Sequence, residues 1–323
     1  MKRILGFLRR VRGEGRARTD GGTAERQSTT ERWLDSDFVR SAPFWGPPFL
    51  LMGFFVYAAI GWNFLLSLTD FSGFGEPDYS SLSLDNYWTM LQDPGIWAAT
   101  RNTFVLLVAF TLACLGVGLL LALLLDREIR FGRTLRTIYL LPFALSFIVT
   151  AQFWRWMYNV NDGIVNQVVG VFGLGPYNWL GSPRLVLGAV IFALVWQFSG
   201  YTMVIYLAAL RSIPTDQYEA ARVDGANAVR MYRRVIIPQL RPAIVSASVV
   251  LVLFALKAFD FLYATFDGYR PRRGADILAT KMVREAFGRS EWAYGSAIAI
   301  ALFVLSLAVI APYLYTQYKR GNL

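Results

Sequence analysis

The sequence predicts an all-α integral membrane protein with six transmembrane helices and with both termini in the cytosol. The chain has 323 residues, is 55% hydrophobic, and contains no His and one Cys. This composition fits a membrane protein better than a soluble enzyme. Several stretches without Asp, Glu, Lys or Arg are long enough for the roughly 20 residues that cross a bilayer core. With a single cysteine, Cys114, no disulfide can form within the chain.

Two kinds of apolar stretch give the six spans. Four are free of charged side chains: 41–69, 102–125, 185–210 and 292–318. Two are less clean: one covers about 137–154, and the other runs from 242 through 256 into KAFDFLYATF, where Lys257 and Asp260 interrupt it. We therefore predict a six-span domain over residues 41–323, preceded by a tail over residues 1–40.

The distribution of Lys and Arg predicts the orientation, because positively charged loops tend to stay in the cytoplasm. With a cytosolic N-terminus, 22 of the 32 basic residues lie inside and 10 lie outside. Seven of the outer ones fall between Lys257 and Arg289 and are an exception. The basic tail has no long apolar h-region and no small-residue cleavage site, so we expect a cytosolic tail that also binds anionic lipid.

The loop after the fourth span, residues 211–241, is too long to be a structureless connection. Asp216 and Glu219 have capping-box spacing and Pro214 precedes them, which predicts a short helix over residues 216–224. Gly225 ends this helix, because glycine adopts a positive φ without a steric penalty.

A second basic helix, ANAVRMYRRVII, is predicted to follow and to stop before Pro238. In the first helix, Ala220 and Ala221 leave little side-chain bulk, so another protein surface could approach the backbone closely. From composition alone, an amphipathic loop lying at the lipid headgroups is equally consistent with this stretch.

The same loop resembles the EAA motif of the permeases of binding-protein-dependent ABC importers. Matching residues at the family spacing are Glu219, Ala220, Ala221, Gly225 and Pro238, while Val235 and Ile237 stand in for Ile and Leu. The run LRSIPTDQYEAARVDGANAVRMYRRVIIPQLRP, which includes Asp224, resembles the carbohydrate-uptake branch, of the maltose and glycerol-phosphate type. So do RTIYLLPF, DGIVNQVVG, NWLGSP and FDFLY, and the likeness covers nearly everything after residue 42.

The resemblance implies a type I ABC importer permease fold in a prokaryotic plasma membrane. It implies that residues 219–225 form a coupling helix in a groove on a cytosolic ATPase dimer, and that a second permease of different sequence and an extracytoplasmic substrate-binding protein complete a sugar importer. The chain has no G-x-x-x-x-G-K-[ST] loop, so ATP and Mg²⁺ are expected on the partner ATPase, with no catalytic residue, cofactor or metal here. The basic residues are spread over the tail and membrane-flanking loops, which argues against nucleic-acid binding.

Candidates for the cargo path lie in the fourth span, in the run VWQFSGYTM. The rings of Trp196 and Tyr201 could cover the apolar face of a sugar, and Gln197 and Thr202 could bond its hydroxyl groups. The alternative is that these aromatic residues pack within the protein or anchor the span at the interface.

Lys257 and Asp260 stand three apart, so on a continuous helix they would share a face and neutralise each other. Their role as a structural pair, a gate contact or a cargo contact stays open. A competing function is a secondary transporter that uses this pair as an ion relay. It is weakened because relays normally need several intramembrane carboxylates or histidines. A membrane enzyme would need a cluster of catalytic side chains that the chain does not offer.

The outer segment ADILATKMVREAFGRSEWAYG shows helical spacing of apolar residues, with Lys281, Arg284 and Glu285 elsewhere around the helix. We expect it to lie along the outer surface. The basic run with Arg270, Arg272 and Arg273 could meet an acidic rim on a binding protein, or could be simply solvated.

Overall fold

The computed structural model describes residues 37–126, 130–271 and 274–319, and within these ranges every regular element is helical. Expectations for the tail before residue 37 and for Arg272 and Arg273 lie outside the described residues. The chain divides into two compact units, residues 1–58 and 59–323. The first described helix, α1 (Asp37–Ser67), begins in the first unit, where it contains Pro43, Pro47 and Pro48, and it ends in the second.

Among the described residues, four helices are long and apolar enough to cross a membrane by themselves. They are α1 and three helices of the second unit: α3 (Pro94–Asp126), α7 (Val186–Arg211) and α14 (Trp292–Lys319). The number of spans reaches the predicted six when each of two bent helix pairs is counted as one span. Short helices on the connections are α2 (Asp85–Gln92), α6 (Ile164–Val171), α8 (Thr215–Val223) and α13 (Leu278–Val283).

The third span is a broken helix and not the continuous span predicted over 137–154. Helix α4 (Gly132–Leu140) runs into a 3₁₀ turn (Leu141–Ala144), and α5 (Phe147–Met157) then starts at an angle of 102° to the first part. Pro142 lies at the start of the 3₁₀ turn, and the Ser146 hydroxyl accepts a hydrogen bond from the Val149 amide at 3.3 Å, which caps α5.

The fifth span is also interrupted. Short helical segments α9 (Ala228–Met231) and α10 (Ile237–Gln239) flank a π-helical turn (Tyr232–Ile236) and bend by 64° into α11 (Arg241–Leu256). Lys257 and Ala258 then separate α11 from α12 (Phe259–Phe266).

The core of the second unit forms where α3 and α7 pack closely. Gly118 of α3 faces α7, and a Cβ at this position would lie 2.6 Å from the Thr202 Cβ. Gly200 of α7 similarly meets the backbone of Tyr139. Small residues at such contacts let membrane helices approach closely, which is a main source of their packing energy.

Candidate functional site

The coupling loop contains a helix, α8, that is exposed to solvent on one side and packs against the apolar core on the other. Ala221, on the inner side of α8, is buried in one apolar cluster with Tyr206 and Leu210 of α7 and Leu125 of α3. Farther along the loop, Met231, Ile236 and Leu240 are buried in the same cluster. The loop is therefore packed onto the predicted cytosolic ends of the second and fourth spans.

The opposite side of α8 is open. Glu219 and Ala220 are exposed, and Val223, with 87% of its surface exposed, extends the same open surface. The expectation that both alanines leave an open surface is therefore wrong for Ala221, because consecutive helical residues point about 100° apart and Ala221 faces the core.

The turn after α8 has the predicted glycine geometry. Gly225 has a φ of +73°, and the Ala226 amide donates to the Ala221 carbonyl at 3.0 Å across the turn. The predicted capping box is wrong, because α8 starts at Thr215 after Pro214 and Asp216 lies inside the first turn. The next helical segment is capped instead by Asn227, whose side chain accepts from the Arg230 amide at 2.9 Å.

The second loop helix also differs from the prediction, because helical structure continues through Pro238 to Gln239. The π-helical turn uses the wider spacing in which the Ile237 amide donates to the Tyr232 carbonyl. Pro238 then occupies the first turn of α10, where a missing amide hydrogen costs little. Gln239 donates to the Gln217 side chain at 2.6 Å and ties this segment back to α8.

The break in the third span borders a cavity of about 360 Å³. Gln197, which is 2% exposed, donates from Nε2 to the Leu145 carbonyl at 2.7 Å, while its Oε1 has no hydrogen-bond partner among the described residues. Asp260 lines the same cavity. Phenylalanine rings surround it, namely Phe143, Phe147, Phe198 and Phe254.

This cavity brings together only two of the residues predicted for the cargo path, Gln197 and Asp260. Trp196 stacks on Phe153 with ring centroids 5.5 Å apart, and Tyr201 stacks on Phe143 at 5.0 Å. Thr202 is fully buried and donates to the Cys114 carbonyl at 2.9 Å, so it joins α7 to α3.

The predicted pairing of Lys257 with Asp260 is wrong. Both side chains are exposed, and no ion pair between them is found among the described residues. The physical reason is the break after Leu256, which places Lys257 at the end of α11 and Asp260 in the first turn of α12. Since the pair was the basis of the secondary-transporter hypothesis, that hypothesis loses its support.

In the segment predicted to lie along the outer surface, two charged side chains are buried. Lys281 and Glu285 are 6% and 2% exposed, whereas the apolar Phe287 is 64% exposed. Lys281 Nζ lies 2.6 Å from Asp93 Oδ2, on another segment, and 3.6 Å from Glu285 Oε1, one turn further along its own segment, and these two carboxylates neutralise it.

In this network the pKa values of Asp93 and Arg284 are shifted. Burial would raise the pKa of Asp93, but hydrogen bonds from Lys281 and the Gly95 amide and the charge of Lys281 outweigh it and lower the pKa. Burial would lower the pKa of Arg284, but its bonds to Asp276 raise it.

Sequence reasoning missed the break in the third span, with its aromatic cavity, and the outer charge network. A signal for the break was present in LPFALS, where a proline and a helix-capping serine lie four residues apart. In the described residues, no cluster of three His, Cys, Asp or Glu side chains is arranged to hold a metal ion.

Comparison with known proteins identifies the class to which this fold and these surfaces belong. The family model of the binding-protein-dependent transport system inner membrane component matches residues 114–321. The chain belongs to this family and is a multi-pass protein of a prokaryotic plasma membrane. It is a permease subunit and not an enzyme.

Two relatives within this family are named as permeases of sugar transport systems. The chain is 59% identical over 297 residues to the xylose/arabinose import permease protein XacH of Haloferax volcanii, covering 92% of this chain and 94% of that protein. It is 31% identical over 242 residues to the trehalose/maltose transport system permease protein MalF of Thermococcus litoralis, covering 74% and 80% of the two chains.

A solved structure confirms the predicted fold. A bacterial ABC transporter involved in the import of the acidic polysaccharide alginate superimposes with a TM-score of 0.72 at 22% identity, covering 89% of this chain and 98% of that one. The chain therefore has the type I ABC importer permease fold.

Proposed function

We propose that this chain is the permease subunit of an ATP-driven importer of a sugar or sugar-like solute, and that α8 is the element through which a cytosolic ATPase moves the spans. The observation that carries the proposal is the position of α8, which is exposed on one side and anchored on the other to α3 and α7. Relatives named for xylose, arabinose, trehalose and maltose support a sugar as cargo.

The residues of α8 and of the turn after it fit a helix that docks on an ATPase. Glu219, Ala220 and Asp224 offer an exposed, thin and polar surface to a partner, and Gly225 sets the turn that shapes it. Because the buried Ala221 seats the helix on the ends of two spans, a rigid-body movement of the ATPase dimer would displace those spans. Pro238 lies beside the π-helical turn, where it helps to end the loop.

On the cargo path, we assign contact with the solute to the cavity at the break in the third span. Gln197 and Asp260 contribute an amide and a carboxylate to its lining, while phenylalanine rings offer apolar faces. Polar groups beside aromatic rings are the combination that binds a hydroxyl-rich solute. A second permease, of different sequence, would close the path on its open side.

In the test, the chain is co-expressed with any ABC ATPase, second permease and binding protein encoded beside its gene, and the complex is purified through a tag on the permease. In Val223→Asp, a carboxylate enters the exposed surface of α8 and leaves the anchored side intact, so we expect the ATPase to be lost. The matched control is Val171→Asp, which changes a valine that is 83% exposed on the predicted outer side.

Gly225→Pro is the second variant, because proline cannot adopt the positive φ of this turn. It should also lose the ATPase while inserting into the membrane normally. Retention of the ATPase by both variants, or its absence from the unmodified chain, would refute the proposal.

A further inference from the structure

A cavity of about 620 Å³ lies on the predicted outer side, where the start of α3 faces the segment between α12 and α14. One wall is the backbone of α3 at Gly95 and Ala98, which carry almost no side chain. The other side carries four cations: Arg270, Lys281, Arg284 and Arg289. No part of the cargo path or of the coupling loop contributes to it.

Three of the four cations already have a carboxylate partner. Lys281 Nζ lies 2.6 Å from Asp93, and Arg289 Nη1 lies 2.8 Å from Glu285. Arg284 binds Asp276 through both terminal nitrogens, at 2.7 and 3.1 Å. Among the described residues, four cations against three carboxylates leave one positive charge at the cavity.

That charge belongs to Arg270. Its side chain is exposed, and within the described residues no carboxylate lies at ion-pair distance from it. Arg284 also donates to the Tyr269 carbonyl at 3.4 Å, which holds the backbone before Arg270 against the paired cations. Arg270 and Arg284 border a second, adjoining cavity of about 280 Å³ as well.

We propose that this cavity is an acceptor for one carboxylate side chain of the extracytoplasmic binding protein, held chiefly by the guanidinium of Arg270. The inference rests on the proposed function, since it needs a binding protein that docks on the outer face. A guanidinium binds a carboxylate through two parallel hydrogen bonds. In the part of the chain that the structure describes, the cations at the cavity exceed the carboxylates by one.

An exposed aromatic residue close in sequence to the cavity-lining arginines favours a protein as the source of the carboxylate. Phe287 lies between Arg284 and Arg289 in sequence, is 64% exposed, and packs edge-on against Trp292 with ring centroids 5.3 Å apart. Exposed aromatic residues beside arginine are the combination enriched at protein interfaces. Lys281 Nζ and Asp93 Oδ1 occupy the space in front of Gly95, so an incoming side chain would enter on the side of the cavity that Arg270 lines.

The test is the stimulation of ATP hydrolysis by the binding protein, measured in nanodiscs containing the complete transporter. Arg270→Ala should raise the concentration of binding protein that gives half-maximal stimulation by about tenfold, because a hydrogen bond to a charged group is lost. The maximal rate at saturation should not change. Arg270→Lys keeps the charge but cannot form two parallel hydrogen bonds to a carboxylate. It should give a smaller increase in the half-maximal concentration, about threefold.

Arg101→Ala is the matched control, because it removes an exposed arginine near the outer end of α3 that does not line the cavity. An unchanged half-maximal concentration in Arg270→Ala, or an equal increase in the control, overturns the inference and leaves the proposed function standing. If the binding protein does not stimulate the unmodified complex, both fail. If Arg270→Ala alters basal hydrolysis in phosphatidylglycerol but not phosphatidylcholine nanodiscs without binding protein, the cavity holds a lipid phosphate and the inference is overturned.

Discussion

Replacing Lys281 by methionine should destabilise the protein strongly, because it removes the cation between two carboxylates. Lys281 is 6% exposed and Glu285 is 2% exposed, so this part of the network cannot be rehydrated without local opening. Breaking a buried ion pair from one side costs about 3–5 kcal/mol. Asp93 keeps 27% of its side-chain surface exposed, and Glu285 retains Arg289 at 2.8 Å. We therefore expect the lower end, about 3 kcal/mol.

The assay is thermal unfolding of the purified chain in one detergent, followed by intrinsic fluorescence. At about 2–4 °C per kcal/mol, the Tm of Lys281→Met should fall by about 6–12 °C. The control Lys257→Met removes an exposed lysine that has no ion pair among the described residues, and it should shift Tm by about 2 °C at most. Adding Asp93→Asn to Lys281→Met should restore part of the loss, since one orphaned charge disappears. Equal Tm values for the two lysine variants would refute the reasoning.

Three further predictions concern packing, the broken span and pH. Gly118→Ala should lower stability by about 1–3 kcal/mol, because its new methyl group meets α7, whereas Gly116→Ala, on the same helix with nothing within 4 Å, should be tolerated in the same thermal assay. Gln197→Leu should lower Tm and solute uptake, since the Leu145 carbonyl loses its donor at a cost of about 1–3 kcal/mol, and unchanged Tm would contradict this. The pKa of Asp93 in the folded protein is lowered from 3.8. The stabilisation of the fold by its ionised carboxylate is therefore complete above pH 3.8 and is lost as the pH falls through the lowered pKa. The fall of Tm below about pH 4 should therefore be shallower in Asp93→Asn.

The sequence predicted those parts of the fold that depend on local periodicity and length. The charge-free stretches predicted α3, α7 and α14, because a membrane helix needs only an uninterrupted apolar run. Gly225 was predicted to turn with a positive φ because its position follows directly from the helix that it ends.

The parts that were wrong depend on partners far away in the chain or on breaks within an apolar run. Helical periodicity placed Lys281 and Glu285 on a solvated side, but Asp93, on the connection before α3, buries that side by neutralising it. Lys257 and Asp260 were paired by assuming a continuous helix, and the break after Leu256 removes that assumption.

The broken third span explains how a polar side chain is tolerated in the core of the second unit. A carbonyl freed at a helix break must be satisfied within the protein, because the bilayer interior supplies no water. The Gln197 amide satisfies the Leu145 carbonyl, so a side chain predicted for cargo contact also has a structural role. Its second polar atom, Oε1, is buried and has no hydrogen-bond partner among the described residues.

Helix α3 connects the two surfaces that carry the proposals. In its first turn, a Cβ added at Gly95 would lie 2.8 Å from the Lys281 ammonium of the outer network. At its other end, Ala122 and Leu125 are buried in the apolar cluster that seats the coupling loop. The helix runs for 33 residues, or roughly 50 Å at 1.5 Å per residue, without an internal break. A binding protein on the outer side and an ATPase on the inner side would therefore act on the same rigid element, and each would influence the affinity of the other through its position.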